Sequence, residues 1–382
     1  MKKYPYNKQK IFSDDILAVK KVLRSDFITQ GPIVNKFEKS VSRYVNVKYA
    51  CATNSATSAL HIACLSLDLK SNDELWTVPN SFVASSNCGL YCGAKIDFVD
   101  INKEHFNINL KQLENKLKKK VPKVLVTVHL GGQPCEQEKV WKLAKKYKFK
   151  VIEDASHSLG ASRKGERVGS CKWSDVSVFS FHPVKMITTG EGGMALTNNK
   201  KIFEKMKMFL NHGITREKRK LKKKNLGFWH YEQHYLGFNY RMNEISAALG
   251  LSQLKKLNMI INKRNKLANN YKRLIKDLPL NFQKVIKFNK SSYHLFIVVI
   301  DGKKIKKNYN NIFNKLRKNG LLVNLHYSPI HLQPYYKKLG FKVGDFPVSE
   351  SYGKSALSLP LYYDLTLEDQ KKIVKTLSKV IS

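Results

Sequence analysis

The chain has 382 residues, 42% hydrophobic and 26% charged, a globular composition that excludes a disordered tail, a collagen-like fibre and a disulfide-stapled miniprotein. Lys and Arg number 69 against 29 Asp and Glu, a net charge of +40, but only ten of the basic residues are Arg. The lysines are spread over Lys111, Lys116–Lys120, Lys145–Lys150, Lys218–Lys224 and Lys303–Lys307, the pattern of a solvated surface and not of the clustered, aromatic-interleaved face that nucleic acid requires.

In chain order, the stretch Met1–Tyr6 leads into Asn7–Lys10 without the apolar centre of a signal peptide. No run approaches the ~18 apolar residues of a membrane span. A soluble, cytoplasmic protein with no nucleic-acid or membrane partner is expected. From about residue 47 to 200, short β-branched runs alternate with amphipathic stretches, which predicts an α/β sheet with crossover helices. The strands are expected at Tyr49–Thr53, Glu74–Val78, Lys95–Val99, Lys123–Val128, Lys150–Asp154, Val176–Phe181 and Gly193–Thr197. The helices are expected at Thr57–Leu67, Phe82–Tyr91, Leu110–Lys118 and Gln137–Tyr147. Met242–Leu278 reads as one long helix with Ile245, Leu249, Leu254 and Leu257 on one side. After it come a strand at His294–Ile300, a helix at Ile312–Asn319, a strand at Leu321–Leu325 and a last helix from about Leu367. The expected organisation is a large domain over residues 1–250, then a helical connection and a small C-terminal domain over 251–382.

Several chemical signatures fail on inspection. The six cysteines, at 51, 64, 88, 92, 135 and 171, contain no Cys-x-x-Cys pair and predict free thiols in a reducing compartment. His230–His234 places two His four apart, but Tyr231 stands where a zinc-protease motif needs Glu, so no metal is expected. Gly160–Gly165 has P-loop glycine spacing yet continues Glu166-Arg167.

Three segments carry chemistry. Asn54-Ser55-Ala56-Thr57-Ser58 follows a strand and opens a helix; such a start binds anions through its free N–H groups, or is simply capped by its own hydroxyls. Val151–His157 ends a strand in Glu153-Asp154 with His157 three residues on, where ligands bind in α/β sheets. That carboxylate suits a protonated ring nitrogen, a metal or a helix cap. Val178–Gly193 sets Lys185 as the one Lys or Arg of a Gly- and Thr-rich loop, five residues after Ser180 and with no carboxylate nearer in sequence than Glu191 on that loop. A desolvated amine there is a nucleophile toward aldehydes. A phosphate-accepting helix start, a strand-end Asp and a Ser followed by a Lys are together what pyridoxal phosphate (PLP) demands, for its phosphate, its pyridine nitrogen and its aldehyde.

With Glu191-Gly192-Gly193 and Gly237–Glu244, these pieces make a sequence that resembles the DegT/DnrJ/StrS family of sugar aminotransferases over nearly its whole length. The resemblance implies the fold of PLP-dependent aminotransferases of fold type I: a large domain with a mixed, mostly parallel seven-stranded sheet, plus a small C-terminal α/β domain. It implies that Lys185 is the Schiff-base lysine and the proton-transferring base, that Asp154 pairs with the pyridine nitrogen, and that Phe82 stacks on the ring. Ser55, Ala56, Thr57 and Ser180 would hold the phosphate, with His157 and His182 in support. Asn239 would reach the cofactor of a neighbouring subunit, making a homodimer with shared sites. Phe27–Gly31, Asn80–Ala84 and His326–His331 carry a closer match within the family. From it, Tyr6, Asp26, Phe27, Ile28, Thr29, His326, Tyr327, Ser328 and Pro329 are expected to contact a sugar nucleotide. The implied reaction moves the amino group of L-glutamate to a UDP-linked 4-keto-6-deoxy sugar; another dTDP-, GDP- or UDP-keto sugar is the alternative, and a non-catalytic polyanion binder on this fold the remote one.

Overall fold

The computed structural model describes residues 2–223, 227–305 and 307–382; Met1, and Lys224 and Lys306 of two lysine runs, lie outside the described residues. The seven expected strands pair into one sheet: β1 (Tyr49–Thr53), β2 (Glu74–Thr77), β3 (Lys95–Phe98), β4 (Val124–Val128), β5 (Lys150–Asp154), β6 (Val176–Ser180) and β7 (Gly193–Thr197). Their spatial order is β1-β7-β6-β5-β4-β2-β3. Only β7 runs antiparallel to its neighbours; the other pairs are parallel.

Helices cover both faces, so β4, β6 and β7 are buried along their whole length, as continuous β-branched runs require. Successive side chains of a strand divide between the two faces. Ile152, Val176 and Val178 pack with Leu60 and Ile62 of α3 (Ala56–Ser66), while Phe179 and Met194 pack with Phe37 and Val41 of α2 (Pro32–Val45). That helix, and α1 (Ser13–Leu23) before it, fall in a region the periodic pattern left unread. Helix α2 begins with Pro32 in its first turn, places Phe37, Val41 and Val45 four apart on its buried face, and stops at Asn46, whose φ of 61° is left-handed.

The expected helix Met242–Leu278 is two, α8 (Glu244–Leu254) and α9 (Leu257–Leu274), the intervening α4 to α7 being Ala84–Leu90, Leu110–Leu117, Gln137–Tyr147 and Lys200–Phe209. The break has a local cause. Lys255 and Lys256 donate their N–H groups to the carbonyls three residues back, on Ser252 and Gln253, and the Lys256 amine is drawn onto Asp14 and Asp15 of α1 at 2.6 and 3.0 Å. Beyond the break, α9 feeds Leu267 and Tyr271 into a second core with Phe296, Val298, Leu357 and Leu377.

That core is built on a three-stranded antiparallel sheet of β8 (Leu280–Phe282), β9 (Phe296–Ile300) and β10 (Ala356–Leu359). Two expectations are shortened here. Pairing in β9 begins at Phe296 and not at His294, and of Leu321–Leu325 only Leu321–Leu322 forms a strand, in parallel with Tyr4–Pro5, while Asn324 makes a single antiparallel bridge to Ser358 of β10. His294 is instead spent on the neighbourhood of Lys185, and Leu325–Pro329 crosses toward the large sheet.

Candidate active site

The C-terminal ends of β5 and β6, the loop that joins β6 to β7, the start of α3 and the segment Asn324–Tyr327 surround a cavity of 580 Å³. Its size is that of a cofactor or substrate site. Tyr6, Ser55, Ala56, Thr57, Phe82, Asp154, His157, Ser180, Lys185, His326 and Tyr327 all line it, although they come from six separate stretches of chain.

The start of α3 serves as both a cap and a cradle. Ser55 accepts the Ser58 N–H at 3.1 Å, which leaves the N–H groups of Ala56 and Thr57, without intrahelical partners, beside the cavity. Gly193 makes the close approach possible: a Cβ there would lie 2.4 Å from the Ser55 carbonyl and 2.5 Å from the Ala56 nitrogen.

The two carboxylates that close β5 part company, as neighbours in a strand must. Glu153 turns inward to His129 Nε2 at 2.8 Å and the Ser174 hydroxyl at 2.5 Å. Asp154 turns to the cavity, one oxygen accepting the Ser156 N–H at 3.1 Å and the other the Ser85 hydroxyl at 2.6 Å.

Lys185 sits on a tied loop. The Phe181 N–H donates to the Gly192 carbonyl and the Thr189 N–H to the Phe181 carbonyl, while the Lys185 N–H donates to His182. The carbonyl of Val184 accepts from Asn7 Nδ2 at 2.8 Å, and Asn7 in turn accepts from the buried Arg264 at 2.7 Å. Arg264, on α9, also donates to the carbonyls of Tyr293, His294 and Leu361. Burial pushes the Lys185 amine down to about 8, with the Asp154 carboxylate acting in the opposite sense. A substantial neutral fraction of amine is therefore present near neutral pH.

Around it stand histidines held uncharged. Burial, then the Lys185 charge, drives His157 well below the usual range and His326 down to about 3. His157 packs against His294 with ring centroids 4.3 Å apart and planes tilted by 41°. Its Nδ1 accepts the Gly131 N–H at 3.4 Å, which assigns the ring proton to Nε2, 3.1 Å from the Tyr327 hydroxyl. Burial raises Tyr327 far above an ordinary phenol, so it stays protonated.

The remaining expected residues lie elsewhere. Asp26, Phe27, Ile28 and Thr29 are exposed on the connection between α1 and α2; the Ile28 carbonyl accepts the Glu244 N–H. Ser328 is exposed and Pro329 packs against Gly353. Asn239 is exposed too, its carbonyl 3.5 Å from the Asn54 amide. Phe82 is 57% exposed and faces Tyr327 at 6.1 Å between ring centroids. Sequence reading passed over Asn7, Ser85, Arg264 and His294, which support the lining and belong to no recognisable motif. For Ser85 alone there was a signal, its place directly after the Asn80–Ala84 stretch already singled out.

An anion-accepting helix start with Thr57 and Ser180, a carboxylate and a partly neutral lysine in one cavity match the three reactive ends of PLP, and the glycine at 193 leaves room for them. The chain matches the DegT/DnrJ/EryC1/StrS aminotransferase family over residues 9–378. It is 37% identical to the UDP-4-amino-4,6-dideoxy-N-acetyl-β-L-altrosamine transaminase of Campylobacter jejuni, over 98% of this chain and 97% of that one. Among solved structures it is similar to Helicobacter pylori PseC, an aminotransferase involved in the biosynthesis of pseudaminic acid, with a TM-score of 0.91 and 36% identity over 100% of this chain and 99% of that chain. It is likewise similar to the putative sugar aminotransferase Spr1654 of Streptococcus pneumoniae in its pyridoxamine-phosphate form, with a TM-score of 0.91 and 27% identity over 98% of each chain.

Proposed function

The chain belongs to the DegT/DnrJ/EryC1/StrS aminotransferase family, whose members depend on PLP, and from that premise we propose that it aminates C4 of a UDP-linked 4-keto-6-deoxy sugar with L-glutamate as donor. The product on this reading is UDP-4-amino-4,6-dideoxy-N-acetyl-β-L-altrosamine, made in the cytoplasm by a homodimer. The observation that carries the reading is the convergence of the α3 start, Asp154 and Lys185 on one cavity.

Bound PLP supplies an electron sink and a temporary carrier for the amino group. The chain's residues do the rest. The first turn of α3, with Thr57 and Ser180, holds the phosphate; Asp154 pairs with the ring nitrogen; Phe82 covers the ring. Lys185 Nζ would anchor the cofactor and, once the incoming amine has freed it, would in its neutral form take the α-proton of the donor and later return a proton to the acceptor carbon, a role worth ~10² to 10⁴-fold. His157 and Tyr327 stay neutral, and Tyr327 is left with a hydroxyl proton to donate into the cavity. Tyr6 and His326, 4.7 Å apart between ring centroids, border the sugar.

Two features support a second copy at the site. Among the described residues that line the cavity, Lys185 is the sole Lys or Arg, too little positive charge for a dicarboxylate donor and a nucleoside diphosphate. Meanwhile Phe228, Trp229 and Leu236, on the segment leading to Asn239, are 96, 73 and 81% exposed, an apolar surface of the kind that marks an interface.

The test is the absorbance of the purified protein with PLP, before and after L-glutamate, for the unaltered chain and Lys185→Ala. The unaltered chain should develop a visible band that glutamate removes, and Lys185→Ala should lose both the band and turnover. Turnover by Lys185→Ala at the unaltered rate would defeat the assignment. A panel of UDP-, dTDP- and GDP-linked keto sugars read by mass spectrometry decides the acceptor. The second reading, a different nucleotide sugar, draws on the position of Asp26–Thr29 outside the lining of the cavity.

A further inference from the structure

Ser85 spends its hydroxyl in an unusual way. A serine inside a helix ordinarily bonds a carbonyl one turn back, and Ser66 and Ser86 do so, to Ala63 and Val83 at 2.8 and 3.0 Å. Ser85, fully buried in α4, does not, nor does a side chain cap that helix. Its hydroxyl donates instead to Asp154 Oδ2 at 2.6 Å, reaching from the helix after β2 to the end of β5 with β4 between them. Ser81 Oγ lies 2.7 Å from Ser85 Oγ. Because the single Ser85 proton goes to Asp154, Ser81 is the donor of this second bond.

The carboxylate is thereby held at both oxygens, by Ser156 N on Oδ1 and Ser85 on Oδ2, which stops it turning about its Cβ–Cγ bond. We propose that Ser85, oriented by Ser81, is a positioning residue that sets the plane of the Asp154 carboxylate toward the ring nitrogen of the cofactor. The inference rests on the reading of Asp154 given above. A hydroxyl bond to an ionised acceptor is among the stronger ones, and with Ser85 and Asp154 both buried, water is poorly placed to replace it.

The test is a double-mutant cycle on the cofactor dissociation constant of the apoprotein titrated with PLP, using Ser85→Ala, Asp154→Ala and the pair. Hydrogen bonds to charged groups imply that Ser85→Ala weakens binding about tenfold or more in the unaltered background. In the Asp154→Ala background the same change should matter less than about threefold, because the group it acts through is gone. The absorbance maximum of the bound cofactor should move in Ser85→Ala in the same direction as in Asp154→Ala. Equal weakening in both backgrounds, or Ser85→Ala binding as tightly as the unaltered chain, would overturn the inference while leaving the role of Asp154 intact. Asp154→Ala with unaltered affinity and spectrum would instead overturn the reading of Asp154, and this proposal with it. Should Ser85→Ala fail to fold, Ser81→Ala removes only the orienting donor, and a loss of cofactor affinity that vanishes in the Asp154→Ala background makes the same decision.

Discussion

The depressed proton affinity of Lys185 can be read directly in the apoprotein. With its midpoint at about 8, roughly one in five Lys185 amines is neutral at about pH 7.4, against roughly one in 1,300 for a lysine at its ordinary value, a ratio of about 250. Reductive methylation with formaldehyde and cyanoborohydride consumes the neutral amine, and mass spectrometry of the peptide containing Lys185 gives its rate at each pH. Access to the cavity scales that rate at every pH alike, so the midpoint of the profile isolates the titration, with the exposed lysines as internal reference. The expected midpoint is about 8. Asp154→Asn then supplies the perturbation: the carboxylate is the one neighbour that favours the charged amine, so its neutralisation moves the midpoint further down. A Lys185 profile that coincides with the exposed lysines, or one that rises in Asp154→Asn, would refute the account. The linkage has a definite sign. Between about 8 and the ordinary lysine value of 10.5 the unfolded chain holds a proton on Lys185 that the folded apoprotein does not, so this group's contribution to stability improves as pH rises through that window.

Three further outcomes follow from the packing. Gly193→Ala puts a methyl 2.4 Å from the Ser55 carbonyl, about 1 Å inside ordinary contact; urea unfolding should show a loss of about 1–3 kcal/mol, and PLP titration a weaker affinity from the displaced α3 start. Arg264→Leu strands the carbonyls of Tyr293, His294 and Leu361 together with the Asn7 side chain, and should cost about 3 kcal/mol or more by the same unfolding assay. Leu236→Glu puts a charge in the exposed apolar segment, so sedimentation should show a homodimer converted to monomer; an unchanged oligomer would remove that segment from the interface.

The large sheet was legible because each strand carries its own signal. A buried parallel strand must be apolar on both faces, and β-branched runs such as Val124–Val128 advertise this within five residues. The chemistry at the strand ends was legible for a related reason: Asp154, Ser180 and Lys185 occupy the ends and loops where ligands meet such sheets. Helices α1 and α2 were missed because their apolar positions are interrupted by Lys, Asp and Asn that solvent tolerates, and the break at Lys255–Lys256 because it depends on Asp14 and Asp15, 241 residues away in the chain.

The composition and order of side chains, by themselves, determined the α/β class, the family and the few residues whose chemistry is local: a capped helix start, a strand-end carboxylate and a lone lysine in a Gly- and Thr-rich loop. Only the tertiary structure decided which groups surround them. The bond from Ser85 to Asp154, the hold of Asn7 on Val184 and of Arg264 on Asn7, and the packing of His157 against His294 join residues 69, 177, 257 and 137 apart. Such contacts arise from the packing of one element on another, and a hydroxyl or an amide carries no periodicity that would announce its distant partner.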